Sequence, residues 1–124
     1  GGSMLKMLAP LAGDASRIDW SKCTMSFVSH RCLPLDDKRA TYHKARRLFL
    51  DSWVDRGLRL LLPTGTTDAD AEAEAYEQML SEGLSISEGG YPMHDLCCLG
   101  VGLDGHVGSI HPEMQREIGH VTSR

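Results

Sequence analysis

The chain has 124 residues, 24% of them charged and 41% hydrophobic, with a formal net charge of −4 at pH 7. That length fits one domain able to bury about two-thirds of its unfolded surface, and the acidic balance argues against a general nucleic-acid binder. No apolar run approaches membrane-spanning length and no signal peptide is visible; the chain opens on Gly1 rather than Met, which leaves targeting unread.

In chain order, Met4, Leu5, Leu8 and Leu11 share one helical face, with Ser3 placed to cap it. Cys23 to Val28 alternates, Cys23, Met25 and Phe27 facing one way and Thr24, Ser26 and Val28 the other, which predicts a strand. Pro34 and "LDDKRA" mark a loop. From Thr41 to Trp53 the period turns helical, with Ala45, Leu48, Phe49 and Trp53 inward. "GLRLLLP", Gly57 to Pro63, reads as a short strand. A second helix follows, with Thr67 as cap, Asp68 and Asp70 in its first turn, Ala71, Ala75, Tyr76, Met79 and Leu80 as its apolar stripe, and Gly83 as its stop. "SISEGGYP" is a flexible turn. "HDLCCLGVG", His94 to Gly102, is the most continuous apolar run and reads as a strand buried on both faces of a parallel sheet. Strands alternating with helices predict an α/β domain, an open parallel sheet layered between helices.

Four cysteines occur, Cys23, Cys32, Cys97 and Cys98, with no CxxC pair, and His43, His94 and His120 lack ligand spacing. No metal site is expected from these patterns. The cysteines read as buried thiols in a reducing compartment. "KRATYHKARR", Lys38 to Arg47, reads as a solvated helix face, with anion binding as the sharper alternative.

The chemistry concentrates in "LGVGLDGHVGSIHP", Leu99 to Pro112. In an open parallel sheet, ligands bind at the carboxyl ends of strands, where Gly100, Gly102 and Gly105 would lie. Glycine there permits positive φ and close backbone approach. A helix from about Val107 would offer free N–H groups to an anion. His106 at the rim carries an imidazole able to exchange a proton near neutrality, and Asp104 can orient it or hold the turn. On spacing alone, a glycine turn with a solvent-facing His106 accounts for the same residues.

The stretch resembles the signature of the 6-phosphogluconolactonase family, LLGMGPDGHxxSLFP. Other segments agree in order. "GGSMLKMLAPLA" is similar to the family's GGS phosphate loop and helix, "WSKCTMSFVSHRCLPLDDKRATYHKARRLFL" to the region of its DERxVP and S-T/N-Y motifs, "AEAYEQML" to its A-x-x-Y-E helix, and "HDLCCLGVG" to its FDLxLLGMG strand. Ser109-Ile110-His111-Pro112 lies nearer SLFP than the FNEP-like ending of the related glucosamine-6-phosphate isomerase/deaminase branch; His111 stands where Phe is usual.

The resemblance implies a three-layer, Rossmann-like α/β fold spanning residues 1–124 as a single domain. It implies metal-independent hydrolysis of 6-phosphoglucono-δ-lactone to 6-phosphogluconate in the oxidative pentose phosphate pathway, without a cofactor and in the cytoplasm. His106 would be the general base, Asp104 and Gly105 would shape its turn with Gly102, Gly1, Gly2 and Ser3 would cradle phosphate, and Arg31 would bind the anionic substrate.

Two departures stand out. The family's Asp-Glu-Arg is Ser29-His30-Arg31, and Ala40 replaces the serine before Thr41 and Tyr42. The family also has a strand before GGS and further strands after SLFP. A fragment, or a second chain or segment completing the sheet, is therefore expected. Restoring Ser29→Asp with His30→Glu is expected to raise activity. The alternative function is a degenerate lactonase-fold subunit acting as a structural or interaction module.

Overall fold

In the computed structural model, the described residues are 2–13 and 17–114. Helix α1 (Gly2–Leu8) tightens into a 3₁₀ turn, Ala9–Ala12. Pro10 has no N–H and its ring clashes with a continuing α-helix, so the periodic run predicted to Leu11 ends early. Leu5 is buried, whereas Leu11 is exposed. Ser3 lies inside α1 rather than capping it.

After a 3₁₀ turn at Trp20–Lys22 come strand β1 (Thr24–Met25) and the long loop to Ala40. Helix α2 (Thr41–Ala45), a π-helical turn (Arg46–Leu50) and helix α3 (Asp51–Asp55) run on without a break. The π turn carries one more residue per turn than an α turn and so rotates everything after it. Ala45, Phe49 and Trp53 face inward as predicted, but Leu50 is fully buried and Leu48 is exposed. Strand β2 (Arg59–Leu60) pairs parallel with β1 in the register Thr24 to Arg59 and Met25 to Leu60. The flanking amides of Arg59 and Leu61 donate to the carbonyls of Cys23 and Met25.

Helix α4 (Ala69–Gly83) stops at Gly83 as predicted. Its cap is Asp68, whose carboxylate accepts from the amides of Asp70 and Ala71, and not Thr67. On the inward stripe, Glu72 replaces the exposed Ala71.

The architecture is thus α/β, a parallel strand pair packed by helices. Its core joins Leu5, Trp20, Phe27, Ala45, Phe49, Leu50, Trp53 and Leu58. Trp20 and Trp53 stack with ring centroids 4.2 Å apart and Phe49 lies 4.3 Å from Trp53, contacts that each add about 0.5–1.5 kcal/mol beyond burial. No described helix is long and apolar enough to cross a membrane.

The remaining segments depart from expectation. "SISEGGYP" is a closed hairpin: Ile86 bridges Pro92, the Ser87 amide donates to Tyr91 at 2.8 Å, and Gly90 takes φ +83°. The run from His94 to Gly102 is not a buried strand. Leu96 is 79% exposed and Val101 73%. A run becomes a strand when a ladder takes up its N–H and C=O groups, and among the described residues the sheet holds β1 and β2 alone. The same exposure corrects the reading of the thiols: all four cysteines are free, and Cys97 and Cys98 are exposed.

Candidate functional site

Residues 101–112 form a compact double turn. The Gly102 amide donates to the His106 carbonyl at 2.8 Å, and the Gly105 amide returns to the Gly102 carbonyl at 2.9 Å. Gly105 sits at φ +87°, the left-handed region that a side chain would strain. Val101 and Ile110 both bridge Val107, whose amide and carbonyl exchange hydrogen bonds with Ile110. Val107 therefore begins no helix, and its N–H is not offered to an anion.

The turn projects Asp104 and His106 together. Nδ1 of His106 lies 2.5 Å from Oδ1 of Asp104, and the same oxygen accepts the His106 backbone amide at 3.3 Å. The His106 hydrogen bonds hold the Asp104 carboxyl below its ordinary range, so it stays an acceptor at neutral pH. With Asp104 accepting at Nδ1, a neutral His106 ring carries its proton there and presents the Nε2 lone pair outward.

Gly102 explains how the ring comes so close to the backbone. Its φ is not positive, so the reason for glycine differs from the one expected. A Cβ at this position would intrude on Cε1 and Nδ1 of the His106 ring and stand 2.6 Å from Asp104 Oδ1. The close approach made to Gly102 is that of the protein's own imidazole.

His111 completes the cluster. Its ring centroid lies 5.0 Å from that of His106, and its Nδ1 is 3.8 Å from Asp104 Oδ2. Pro112 folds back against Gly105, which brings His111 over the turn.

A second polar group lies behind β1. Glu72 is 1% exposed. Its carboxylate accepts from the Thr64 amide at 2.8 Å, the Thr64 hydroxyl at 2.7 Å, the Gly65 amide at 3.0 Å and the Thr66 amide at 3.2 Å. Burial raises its pKa, but those donors and the nearby His30 outweigh it, and the net shift is downward. Nε2 of His30 lies 3.7 Å from Oε1 of Glu72, and the His30 ring meets Tyr76 edge-on. The Tyr76 hydroxyl accepts from the Phe27 amide at 2.7 Å. Tyr76 thereby ties α4 to the chain leaving β1 and, as read from the sequence, belongs to the interior.

The predicted residues distribute as follows. Asp104, His106, Gly102 and Gly105 come together. Ser29 lies near the same unit, since a Cβ on Gly108 would meet Val28 and Ser29, so the Ser-His-Arg segment and the Asp-Gly-His turn are neighbours. His30 itself turns to Glu72, and the imidazole beside His106 is His111. Arg31 is exposed. The end of α1 holding Gly2 and Ser3 adjoins the run into the turn, because a Cβ on Gly100 would meet Met4. Gly1 lies outside the described residues. Glu72 was missed as an interior acid, though its place one helical turn before Tyr76 signals it. His30→Glu would place a second carboxylate beside the buried Glu72.

Comparison with known proteins gives a consistent result. The family model described as glucosamine-6-phosphate isomerases/6-phosphogluconolactonase matches residues 1–123. A 6-phosphogluconolactonase of Mycobacterium bovis is 32% identical over 118 residues, covering 90% of this chain and 47% of the relative. A probable 6-phosphogluconolactonase of Schizosaccharomyces pombe is 31% identical, covering 91% and 47%. Among solved structures, the devB protein aligns with a TM-score of 0.69 at 29% identity, over 90% of this chain and 46% of that one. The 6-phosphogluconolactonase of Trypanosoma brucei aligns at 0.58 and 30% identity, over 74% and 40%. The chain spans about half the length of the curated relatives it matches.

Proposed function

Because this chain belongs to the glucosamine-6-phosphate isomerase/6-phosphogluconolactonase family, we propose that its 101–112 turn carries lactonase chemistry, the hydrolysis of 6-phosphoglucono-δ-lactone to 6-phosphogluconate. The observation that carries the reading is the His106 ring held by Asp104 against Gly102. Nε2 of His106 takes a proton from water as that water attacks the lactone carbonyl. Asp104 fixes the tautomer and steadies the imidazolium that forms, and the proton then passes to the leaving ring oxygen. Gly2 and Ser3, in the helix that adjoins the run into the turn, bind the phosphate and sugar together with Gly1, which precedes them in sequence, and the exposed Arg31. Gly105 supplies the left-handed bend that aims Asp104 and His106 at the substrate.

The relatives named 6-phosphogluconolactonase favour this branch over the isomerase branch. A chain or segment pairing along 96–101 is the partner this reading calls for, covering Leu96, Leu99 and Val101. Four free thiols suit a reducing compartment, the cytoplasm.

The test is lactone hydrolysis measured above the spontaneous rate. General-base catalysis contributes about 10²–10⁴-fold, so His106→Ala should lose most of the enzymatic excess. A wild-type protein at background, or a His106→Ala variant as fast as wild type, refutes the proposal. Release of ammonia from glucosamine 6-phosphate would move the chain to the other branch.

A further inference from the structure

The lactonase reading uses Asp104 and His106 and leaves His111 without a task, although His111 stands where a phenylalanine is usual in the signature this chain resembles. One ligand atom from each of Asp104, His106 and His111 can be chosen so that all lie within 4.8 Å of one another. We propose that these three side chains form a site for a divalent transition-metal ion of the Zn²⁺ class, and that its occupation withdraws His106 from base catalysis. The second half rests on the proposed function; the first does not.

The donor set points to the class of ion. Two imidazoles and one carboxylate suit Zn²⁺ and its neighbours, whereas Mg²⁺ and Ca²⁺ prefer oxygen ligands throughout. Zinc holds such ligands at about 2.0–2.2 Å in a tetrahedron, which puts any two of them about 3.4 Å apart. Each pair of donors therefore lies within about 1.4 Å of that spacing. Side-chain torsions can supply the difference, because Asp104, His106 and His111 have side chains 59%, 37% and 45% exposed. The backbone under them is already tied by the Gly102–His106 and Val107–Ile110 hydrogen bonds. Three protein ligands leave a fourth position for water.

Blocking follows from the chemistry of the ligand. A metal occupies a ring-nitrogen lone pair of His106 and takes Asp104 as its counter-charge. The pair that would accept a proton from water is then engaged, and the carboxylate that orients it is diverted.

The experiment titrates Zn²⁺, and Co²⁺ as a spectroscopic probe, into metal-stripped protein, with His111→Phe alongside wild type. The fold of each is checked by circular dichroism. We expect one tight Zn²⁺ site, a Co²⁺ visible spectrum without a thiolate charge-transfer band, and an affinity lower by at least ~10-fold in His111→Phe, since even outer-shell partners of a metal are worth 10–100-fold. Excess Mg²⁺ should not displace the ion. Equal binding by a folded His111→Phe overturns the site. So does a thiolate band, which assigns the ion to the exposed Cys97 and Cys98. Lactone hydrolysis by wild type should fall with Zn²⁺ occupancy, while His111→Phe keeps its rate at the same Zn²⁺ concentration. Binding without loss of rate overturns the blocking step. Binding by a protein with no lactonase activity leaves the metal site standing and refutes the proposed function instead.

Discussion

Replacing Gly102 by alanine isolates the geometry of the turn from the stability of the fold. The backbone at Gly102 does not require positive φ, so alanine costs it little there. The obstacle is the added Cβ, which would sit 2.6 Å from Asp104 Oδ1 and still closer to the His106 ring. Comfortable contact begins near ~3.5 Å, so the imidazole and carboxylate must move by about 1 Å. A misplacement of that size costs on the order of 10²-fold in rate, equivalent to ~2.7 kcal/mol of barrier. The turn is largely exposed, so the unfolding free energy measured in urea should change by less than about 0.5 kcal/mol. The assay is kcat/KM for lactone hydrolysis beside urea unfolding, with imidazole ¹H–¹⁵N spectra following the Asp104–His106 hydrogen bond. A Gly102→Ala protein with wild-type kcat/KM and an unchanged imidazole spectrum would show that the ring against Gly102 is not the productive arrangement.

Two further outcomes concern the acid behind β1. Glu72→Gln leaves at least one of the Thr64, Gly65 and Thr66 amides facing an amide nitrogen, and should lower stability by about 2 kcal/mol with an unchanged urea m-value. The folded-state pKa of Glu72 is depressed, so its contribution is complete above the unfolded value of about 4.3 and is lost as pH falls through the lower folded value. Acid unfolding of Glu72→Gln should lack that part of the pH dependence, and an identical acid limb would count against the shift. His30→Glu should destabilise the protein at pH 7 and recover on acidification, because the new carboxylate would lie where His30 is 3.7 Å from Glu72. Full stability of His30→Glu at pH 7, measured by urea unfolding, would remove that pairing from the account.

The helices and the parallel pair were legible because each depends on a short-range signal, apolar spacing for α4 and alternation for β1. Legibility failed where a neighbour or an irregular turn decided the outcome. The exposure of Leu48 follows from a π turn that shifts the stripe by one residue, and an unbroken 3.6-residue period hides it. Leu96 to Val101 is as apolar as a buried strand, but burial needs a second surface and strand structure needs a ladder, neither of which a local run encodes. At the site, Asp104 and His106 were readable from Asp-Gly-His. His111 was read as a departure from phenylalanine, and its meaning needed the fold-back of Pro112 onto Gly105. Glu72 was hidden by its charge: a buried acid looks like a surface residue until its four donors are seen.

The 101–112 turn also has a consequence for how the protein acquires its chemistry. Asp104, His106 and His111 are gathered by hydrogen bonds that span only a few residues of chain. Closing so short a loop costs little entropy and takes microseconds or less. The parallel pairing of β1 with β2 must instead wait for the whole helical crossover between them. Asp104, His106 and His111 can therefore be in place before the sheet is. Mutations in the Trp20–Trp53 core should then change how much of the protein is folded far more than how well each folded molecule works. A peptide covering 101–112 should retain a measurable share of the Asp104–His106 pairing, which makes the turn a unit that can be moved intact onto another scaffold.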